Sequence, residues 1–169
     1  MIGPHQHLVL VGMMGVGKTT VAKVVAERLG RPVVDTDHAI EASTGRTVRD
    51  IFSTDGEDAF RSIESQVLGE ALASPTPSVI AGAGGVVLRP SNREALRSSG
   101  ARVVWLCADP ATLVERVKAG GHRPLLDTDP AGTLQRMFNE REALYREVAD
   151  AIVLVDHRTI SDVVEAVLR

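Results

Sequence analysis

Short apolar runs alternate with longer amphipathic stretches along the whole chain. Five runs are rich in Val, Ile and Leu without polar alternation, which is typical of strands buried on both faces. These predicted strands are 7–12, 32–35, 78–82, 102–107 and 151–155. The stretches between them predict helices at about 17–29, 47–73, 91–98, 109–119, 132–148 and 159–168. Such alternation predicts an α/β fold with a mainly parallel sheet, whose ligands bind at the carboxyl ends of the strands.

The first predicted strand is followed by a phosphate-binding motif. The segment GMMGVGKTT (12–20) matches G-x-x-x-x-G-K-[ST] and opens a predicted helix, which is the context that this motif requires. Backbone N–H groups and the helix N-terminus then face phosphate oxygens, Lys18 adds positive charge, and the Thr19 hydroxyl is a ligand for Mg²⁺. The chain is therefore predicted to bind a nucleoside diphosphate or triphosphate. The residues assigned to this binding are Gly15, Val16, Gly17, Lys18, Thr19 and Thr20.

The second predicted strand ends in a pair of aspartates, Asp35 and Asp37, within VVDTDHAI (33–40). On an extended chain the two side chains would point the same way, roughly 6–7 Å apart. The pair could bind one cation together, divide two tasks between them, or cap a helix.

A segment dense in Gly, Pro and Asp, at about 119–132, contains Arg123. Loops of this length inside a compact domain are usually functional, so we predict a mobile lid here. A kinase for small molecules needs a carboxylate beside the acceptor hydroxyl, basic groups at the phosphates and a closing lid. The chain has candidates for all three, whereas it lacks the Asn-Lys-x-Asp motif expected of a GTPase.

Composition and charge limit the partners and the cellular compartment that we expect for this chain. The 169 residues fit one domain, and a formal net charge of -3 gives no general attraction to nucleic acid or anionic membranes. The single cysteine, Cys107, has no partner for an intrachain disulfide, and no apolar run approaches the ~18 residues of a membrane span. We therefore expect a cytoplasmic protein without a targeting segment, a nucleic-acid partner or a membrane partner. We also expect a monomer.

With the phosphate loop, the segments DTD, FRSIE, AGGVV, GGHRPLL and REALYREVAD follow in this order, and the chain resembles the shikimate kinases over nearly its whole length. The resemblance implies a three-layer P-loop NTPase fold with a central five-stranded parallel sheet flanked by helices. It implies a single kinase domain at 1–169, with the lid at about 119–132 and a substrate-binding helical segment at about 36–73.

The resemblance also implies a reaction, the transfer of the γ-phosphate of ATP to the 3-hydroxyl of shikimate on the way to chorismate and the aromatic amino acids. On the nucleotide side, Lys18 and Thr19 would hold phosphate and Mg²⁺, and Asp35 would assist the metal. Arg123 would reach the phosphates from the lid, while Arg116 and Arg158 would border the adenine.

On the acceptor side, the resemblance assigns Asp37 to the shikimate hydroxyls and to the role of general base. Arg61 and Arg141 would grip the substrate carboxylate beside the backbone of Gly84 and Gly85. A planar, bidentate donor suits a carboxylate, although an arginine on a helix is by default a solvated surface residue.

Two positions depart from the family pattern. Ala83 replaces the first of three consecutive glycines, and Ala143 replaces a proline. At position 83 an alanine would cost about 1 kcal/mol or more if φ had to be positive, whereas it would only trim the pocket if closeness alone mattered.

Two further functions stay open. The same fold could act on another small polyol acid, such as gluconate or quinate, because pocket shape decides differences of one hydroxyl. A nucleotide-binding module without catalysis would be favoured by the loss of Lys18, Asp37 or Arg123, and all three are present.

Overall fold

The computed structural model describes residues 2–119 and 128–169. Its strands are β1 (Leu8–Val11), β2 (Val33–Asp35), β3 (Val79–Ala81), β4 (Arg102–Cys107) and β5 (Ala151–Leu154). Its helices are α1 (Lys18–Leu29), α2 (Thr36–Thr44), α3 (Val48–Asp55), α4 (Glu57–Ala73), α5 (Pro90–Ser98), α6 (Pro110–Ala119), α7 (Pro130–Val148) and α8 (Ile160–Leu168).

The five strands form one parallel sheet in the order β2-β3-β1-β4-β5, which confirms the predicted architecture. β1 lies at the centre, where Leu8 pairs with Val79 of β3 and with Arg102 of β4. All four residues of β1 are fully buried, as expected of a strand covered on both faces. Because the strands are parallel, the residues that follow β1, β2 and β3 meet at one edge of the sheet.

Two apolar clusters stabilise the fold. The larger one surrounds the sheet and includes Trp105 of β4 and Tyr145 of α7, which are both almost completely buried. The smaller one joins α2, α3 and α4, and its buried members are Ile40, Ile51, Phe60 and Val67. The segment 36–73 therefore has a small apolar core of its own.

The prediction of one long helix at 47–73 was wrong. Gly45 ends α2 in the left-handed conformation, and Thr47 caps α3 with its side chain. Gly56, at φ 86° and ψ 171°, then separates α3 from α4. The amphipathic pattern continues across these breaks because each short helix turns apolar side chains to the same small cluster, so periodicity alone did not reveal them.

Within residues 2–119 and 128–169, no helix is long and apolar enough to cross a membrane.

The side chain of His7, just before β1, forms hydrogen bonds with the segment that connects α4 to β3. Its Nδ1 accepts a hydrogen bond from the Ser78 backbone N–H at 3.1 Å, so Nε2 carries the proton and donates it to the Ser74 carbonyl at 2.9 Å. The side chain is buried, and each of its ring nitrogens has a hydrogen-bond partner.

We expect His7→Phe to lower the free energy of unfolding by about 2 kcal/mol, because it leaves the buried Ser78 N–H and the half-buried Ser74 carbonyl without their partner. Urea denaturation followed by circular dichroism measures this change. The matched control is His5→Phe at an exposed position, which should stay within about 0.5 kcal/mol of the wild type. Equal stability of the two variants would contradict the role given to His7.

Candidate active site

The loop between β1 and α1 approaches β4 closely at its first glycine. Gly12 has φ 145°, and a Cβ at this position would collide with the Leu106 carbonyl oxygen. At the other end of the loop, Gly17 caps α1 in the left-handed conformation and offers no side-chain hydrogen bond to the helix. The first N–H groups of α1 therefore lack a side-chain cap, as in a site where an anion takes that place.

Lys18 folds back over this loop. Its ammonium group donates hydrogen bonds to the carbonyls of Gly12 at 2.7 Å and Met13 at 2.9 Å. The charge is thereby held beside a cavity of about 320 Å³, which the phosphate loop shares with the ends of β2 and β3. The lining residues are Met14, Gly15, Gly17, Lys18, Thr19, Thr20, Asp35, Asp37, Ala81, Gly82, Ala83 and Gly84.

Asp35 connects the phosphate loop to α2. One carboxylate oxygen accepts the backbone N–H groups of Asp37 at 3.1 Å and His38 at 3.3 Å, so Asp35 is the N-cap of α2. The other oxygen accepts the Thr19 hydroxyl at 2.7 Å. The extended geometry assumed for this pair was wrong, because the strand ends at Asp35 and the helix begins at Thr36.

Asp37 lies in the first turn of α2 and lines the cavity. Its Oδ1 is buried and has no hydrogen-bond partner among the residues that the structure describes. Burial raises the pKa of this carboxyl above its ordinary value, the charge of Asp35 adds to the rise, and Lys18 opposes it. A buried, unpartnered oxygen with a raised pKa is suited to accept a hydroxyl proton from a ligand.

Thr19 and Asp35 fit a hard divalent cation. Both offer oxygen atoms, the donors that Mg²⁺ prefers, and the two side chains already touch beside the phosphate loop. Across the described ranges, no group of three or more His, Cys, Asp and Glu side chains could hold a metal ion. Mg²⁺ usually takes one or two protein oxygens together with phosphates and water, and Thr19 and Asp35 offer oxygens of this kind.

Arg61 reaches the end of β3 from α4 and is held on several sides. Its Nη1 donates to both carboxylate oxygens of Glu64 at 3.0 Å, and Nη2 lies 3.4 Å from Glu57. Its guanidinium carbon also lies 5.8 Å from the ring centre of Phe52 and 5.3 Å from that of Phe60. The side chain is only 11% exposed, so Arg61 is not a solvated surface residue of its helix.

Glu64 is a functional candidate that sequence reasoning missed. Its side chain is completely buried, and burial raises its pKa while the Arg61 charge opposes the rise. The charges of Asp37 and Arg141 also act on this carboxylate, which indicates that all four groups lie near one another. The spacing of Arg61 and Glu64, three residues apart on a helix, is the signal that could have revealed the pair.

Arg141 approaches the same loop from α7. It is 8% exposed, its Nε is buried without a described partner, and a Cβ added at Gly84 would lie 3.7 Å from its Nη1. On the other side, a Cβ added at Gly85 would lie within 2.6 Å of three guanidinium atoms of Arg61. The two arginines therefore flank Gly84 and Gly85, next to the cavity beside the phosphate loop.

A second cavity, of about 250 Å³, lies on the other side of the phosphate loop. Its lining residues are Gly15, Val16, Gly17, Thr20, Val21, Arg116, Val155, Arg158, Ile160 and Val163. Arg116 is anchored there by a hydrogen bond of 3.2 Å from Nη1 to the Val16 carbonyl. The apolar walls and the two arginines of this cavity suit a flat, polar ring.

Arg123 and most of the expected lid lie outside the described residues.

The two departures from the family pattern are accommodated locally. Ala83 has no positive φ, and its backbone N–H donates to the Thr36 hydroxyl at 3.0 Å, so the conformational cost does not arise. Ala143 is exposed within α7, which continues without interruption from 130 to 148.

Asp109 lies outside both cavities, and its carboxylate caps α6 by accepting the Ala111 N–H at 2.8 Å.

The fold and the site together define a class. A phosphate loop at the central strand of a parallel sheet, an acidic pair beside it and buried arginines beyond it are the parts of a P-loop kinase for a small anionic acceptor.

The shikimate kinase family model matches residues 14–169, and the chain belongs to this family. It is 47% identical to the shikimate kinase of Symbiobacterium thermophilum over 165 residues, covering 96% of this chain and 94% of that protein. It is 43% identical to the shikimate kinase of Burkholderia lata over 166 residues, covering 98% and 89%. These matches confirm an ATP-dependent kinase.

A solved structure gives the same result. Shikimate kinase from Acinetobacter baumannii, in complex with shikimate, superimposes with a TM-score of 0.90 at 36% identity. The match covers 96% of this chain and 90% of that one. The predicted family and fold are thereby confirmed.

We expect Gly85→Ala to raise the KM for the acceptor by about tenfold or more, because the added methyl group displaces the Arg61 guanidinium from its position beside the loop. Steady-state kinetics with ATP and shikimate measure this effect, and the KM for ATP should hardly change.

The matched control is Gly69→Ala, an exposed position in α4 where a Cβ meets no atom within 4 Å. This variant should keep wild-type kinetics and gain up to about 1 kcal/mol of stability from its higher helix propensity. An unchanged acceptor KM in Gly85→Ala would show that Arg61 does not hold the acceptor.

Proposed function

We propose that the chain transfers the γ-phosphoryl group of ATP to the 3-hydroxyl of shikimate in the cavity beside the phosphate loop. The observation that carries this proposal is the buried Oδ1 of Asp37, which has no partner among the described residues; Asp37 lines one cavity with the phosphate loop and with Gly84, beside which the two arginines lie. Membership of the shikimate kinase family supports it, and so does the likeness to a relative that binds shikimate.

On the nucleotide side, Lys18 and the backbone of Gly15, Val16 and Gly17 bind the phosphates, and the adenine occupies the cavity bordered by Arg116 and Arg158. Thr20 lies where the two cavities meet. Arg123 reaches the transferring phosphoryl group from a lid at about 119–132, within a single kinase domain at 1–169. This assignment is supported by the position of the lid candidate directly after α6.

On the acceptor side, Arg61 and Arg141 bind the shikimate carboxylate and the segment 36–73 forms this part of the pocket. Arginine is suited to this task because its planar fork donates two parallel hydrogen bonds to a carboxylate. The arginines lie beside Gly84 and Gly85, and Gly84 lines the same cavity as Asp37, so an acid held at its carboxylate by the arginines turns its ring toward Asp37.

The chemical step needs one proton acceptor. The acceptor oxygen attacks the γ-phosphorus and forms a new O–P bond, while the bond from the γ-phosphorus to the β–γ bridging oxygen breaks and ADP leaves. Asp37 takes the hydroxyl proton through its unpartnered oxygen, and Lys18 stabilises the negative charge on the phosphoryl oxygens.

Thr19 and Asp35 would hold Mg²⁺ on the phosphate side of the cavity. When bound, the ion neutralises charge on the β- and γ-phosphate oxygens. Thr19 supplies a hydroxyl oxygen, and Asp35 offers a carboxylate already oriented by α2.

We further propose a cytoplasmic monomer that binds neither nucleic acid nor membranes. The net charge of -3 supports the absence of nucleic-acid and membrane binding, and the single cysteine supports a reducing compartment.

The direct test is ATP consumption by the purified chain with shikimate, quinate, gluconate or no acceptor. The proposal requires shikimate to give the highest kcat/KM. If quinate or gluconate were turned over equally well or faster, that acid and not shikimate would be the acceptor. ATP binding without turnover of any acceptor would favour a regulatory module.

We expect Asp37→Asn to lower kcat by about 10²- to 10⁴-fold, because the amide cannot accept the proton, while ATP affinity changes little. A coupled assay and nucleotide titration measure the two effects. The control is Asp109→Asn, which keeps a capping side chain on α6 and should retain wild-type kcat. Near-normal turnover in Asp37→Asn would rule out Asp37 as the base.

A further inference from the structure

Tyr145 is a fully buried polar group that no step of the proposed reaction uses. It lies one helical turn after Arg141 on α7, and its ring stacks on Trp105 with centroids 5.6 Å apart. The hydroxyl is directed at the loop that follows β3, where it donates a hydrogen bond to the Gly84 carbonyl. A buried tyrosine needs a partner for its hydroxyl, but it need not take one at the acceptor pocket.

The direction of the hydrogen bond at this hydroxyl is fixed by its partner. The Gly84 carbonyl can only accept, so the phenol proton points to it. The guanidinium of Arg141 lies close to both groups: its charge acts on the pKa of the phenol, and a Cβ added at Gly84 would lie 3.7 Å from its Nη1. Tyr145 and Arg141 thus meet at the same glycine loop.

Electrostatics favour a permanent donor here. Burial raises the pKa of Tyr145 to about 12, with Arg141 opposing the rise, so the phenol stays protonated at any working pH. The hydrogen bond to Gly84 is therefore maintained, and it fixes the plane of the peptide between Gly84 and Gly85. In this trans peptide the Gly85 N–H points away from Tyr145.

We propose that Tyr145 is a positioning residue for the acceptor carboxylate, which it serves by holding Arg141 and the Gly84–Gly85 peptide in their binding geometry. This inference rests on the proposed function, because it concerns the same acceptor pocket. A tyrosine that served packing alone would need its ring against Trp105 and some partner for its hydroxyl, but not a partner in the glycine loop beside Arg141.

The test compares wild type with Tyr145→Phe, which keeps the ring and removes only the hydroxyl. The KM for shikimate should rise about tenfold, while the KM for ATP stays unchanged. The decisive quantity is the ratio of kcat/KM for shikimate to that for its methyl ester, which lacks the carboxylate charge. This ratio should fall by a similar factor, because Arg141 no longer lies where it can tell acid from ester.

The matched control is Val164→Ala, a fully buried position in α8. It should lower the melting temperature and leave the ratio of acid to ester at its wild-type value. If Tyr145→Phe lowers stability in the same way and leaves both the acceptor KM and the ratio unchanged, the hydroxyl is structural and the inference is wrong.

A spectroscopic measurement applies even if Tyr145→Phe does not fold. The chain has a single tyrosine, so labelling with tyrosine enriched in ¹³C at Cζ gives one signal from the whole protein. This signal should shift when shikimate binds and stay in place when ADP binds alone. A signal that ignores shikimate would overturn the inference.

Failure of the proposed function would be seen separately, as a wild-type enzyme that does not turn over shikimate. The comparison of Tyr145→Phe with the wild type is then made on the acid that does support ATP turnover and on its methyl ester. An unchanged ratio for that acid would still contradict the role of Tyr145.

Discussion

The carboxylate of Asp35 is the interaction on which the arrangement of the site depends. One oxygen caps α2 and the other accepts the Thr19 hydroxyl, so a single side chain at the end of β2 fixes two helices relative to each other. The N-cap places Asp37 in the first turn of α2, where its side chain lines the cavity. The phosphate-binding and acceptor-binding parts of the site are therefore joined at one residue.

A second constraint comes from charges buried beyond the cavity. Glu64 is completely buried, and the loss of its partner Arg61 would leave an uncompensated charge, which typically costs about 3–5 kcal/mol. This cost makes the position of Arg61 a condition of folding as well as of binding. Gly85 has no Cβ in the space that the guanidinium occupies, which explains why the loop after β3 can lie so close to it.

Much of this could be predicted from the sequence, and the failures have physical causes. Unbroken apolar runs identified all five strands, and the phosphate-loop motif identified the nucleotide side, because both signals are local. The helix that begins at Thr36 was missed because the sequence around Asp35 is compatible with two structures. One is an extended strand through Asp35 and Asp37, and the other is a helix with Asp35 as its N-cap. Glu64 and Tyr145 were missed because their roles arise from contacts with Arg61 and Gly84 that only the folded chain creates.

The central claim is that the two aspartates have separate tasks, Asp35 toward the metal and Asp37 toward the acceptor hydroxyl. The most direct measurement is a Mg²⁺ titration of shikimate-dependent ATP turnover in Asp35→Asn and Asp37→Asn. Asparagine still caps α2, so Asp35→Asn should need a higher Mg²⁺ concentration for half-maximal rate and recover activity as Mg²⁺ is raised. Asp37→Asn should keep the wild-type Mg²⁺ midpoint and stay slow at every concentration. The same shift of the midpoint in both variants would contradict the division of tasks.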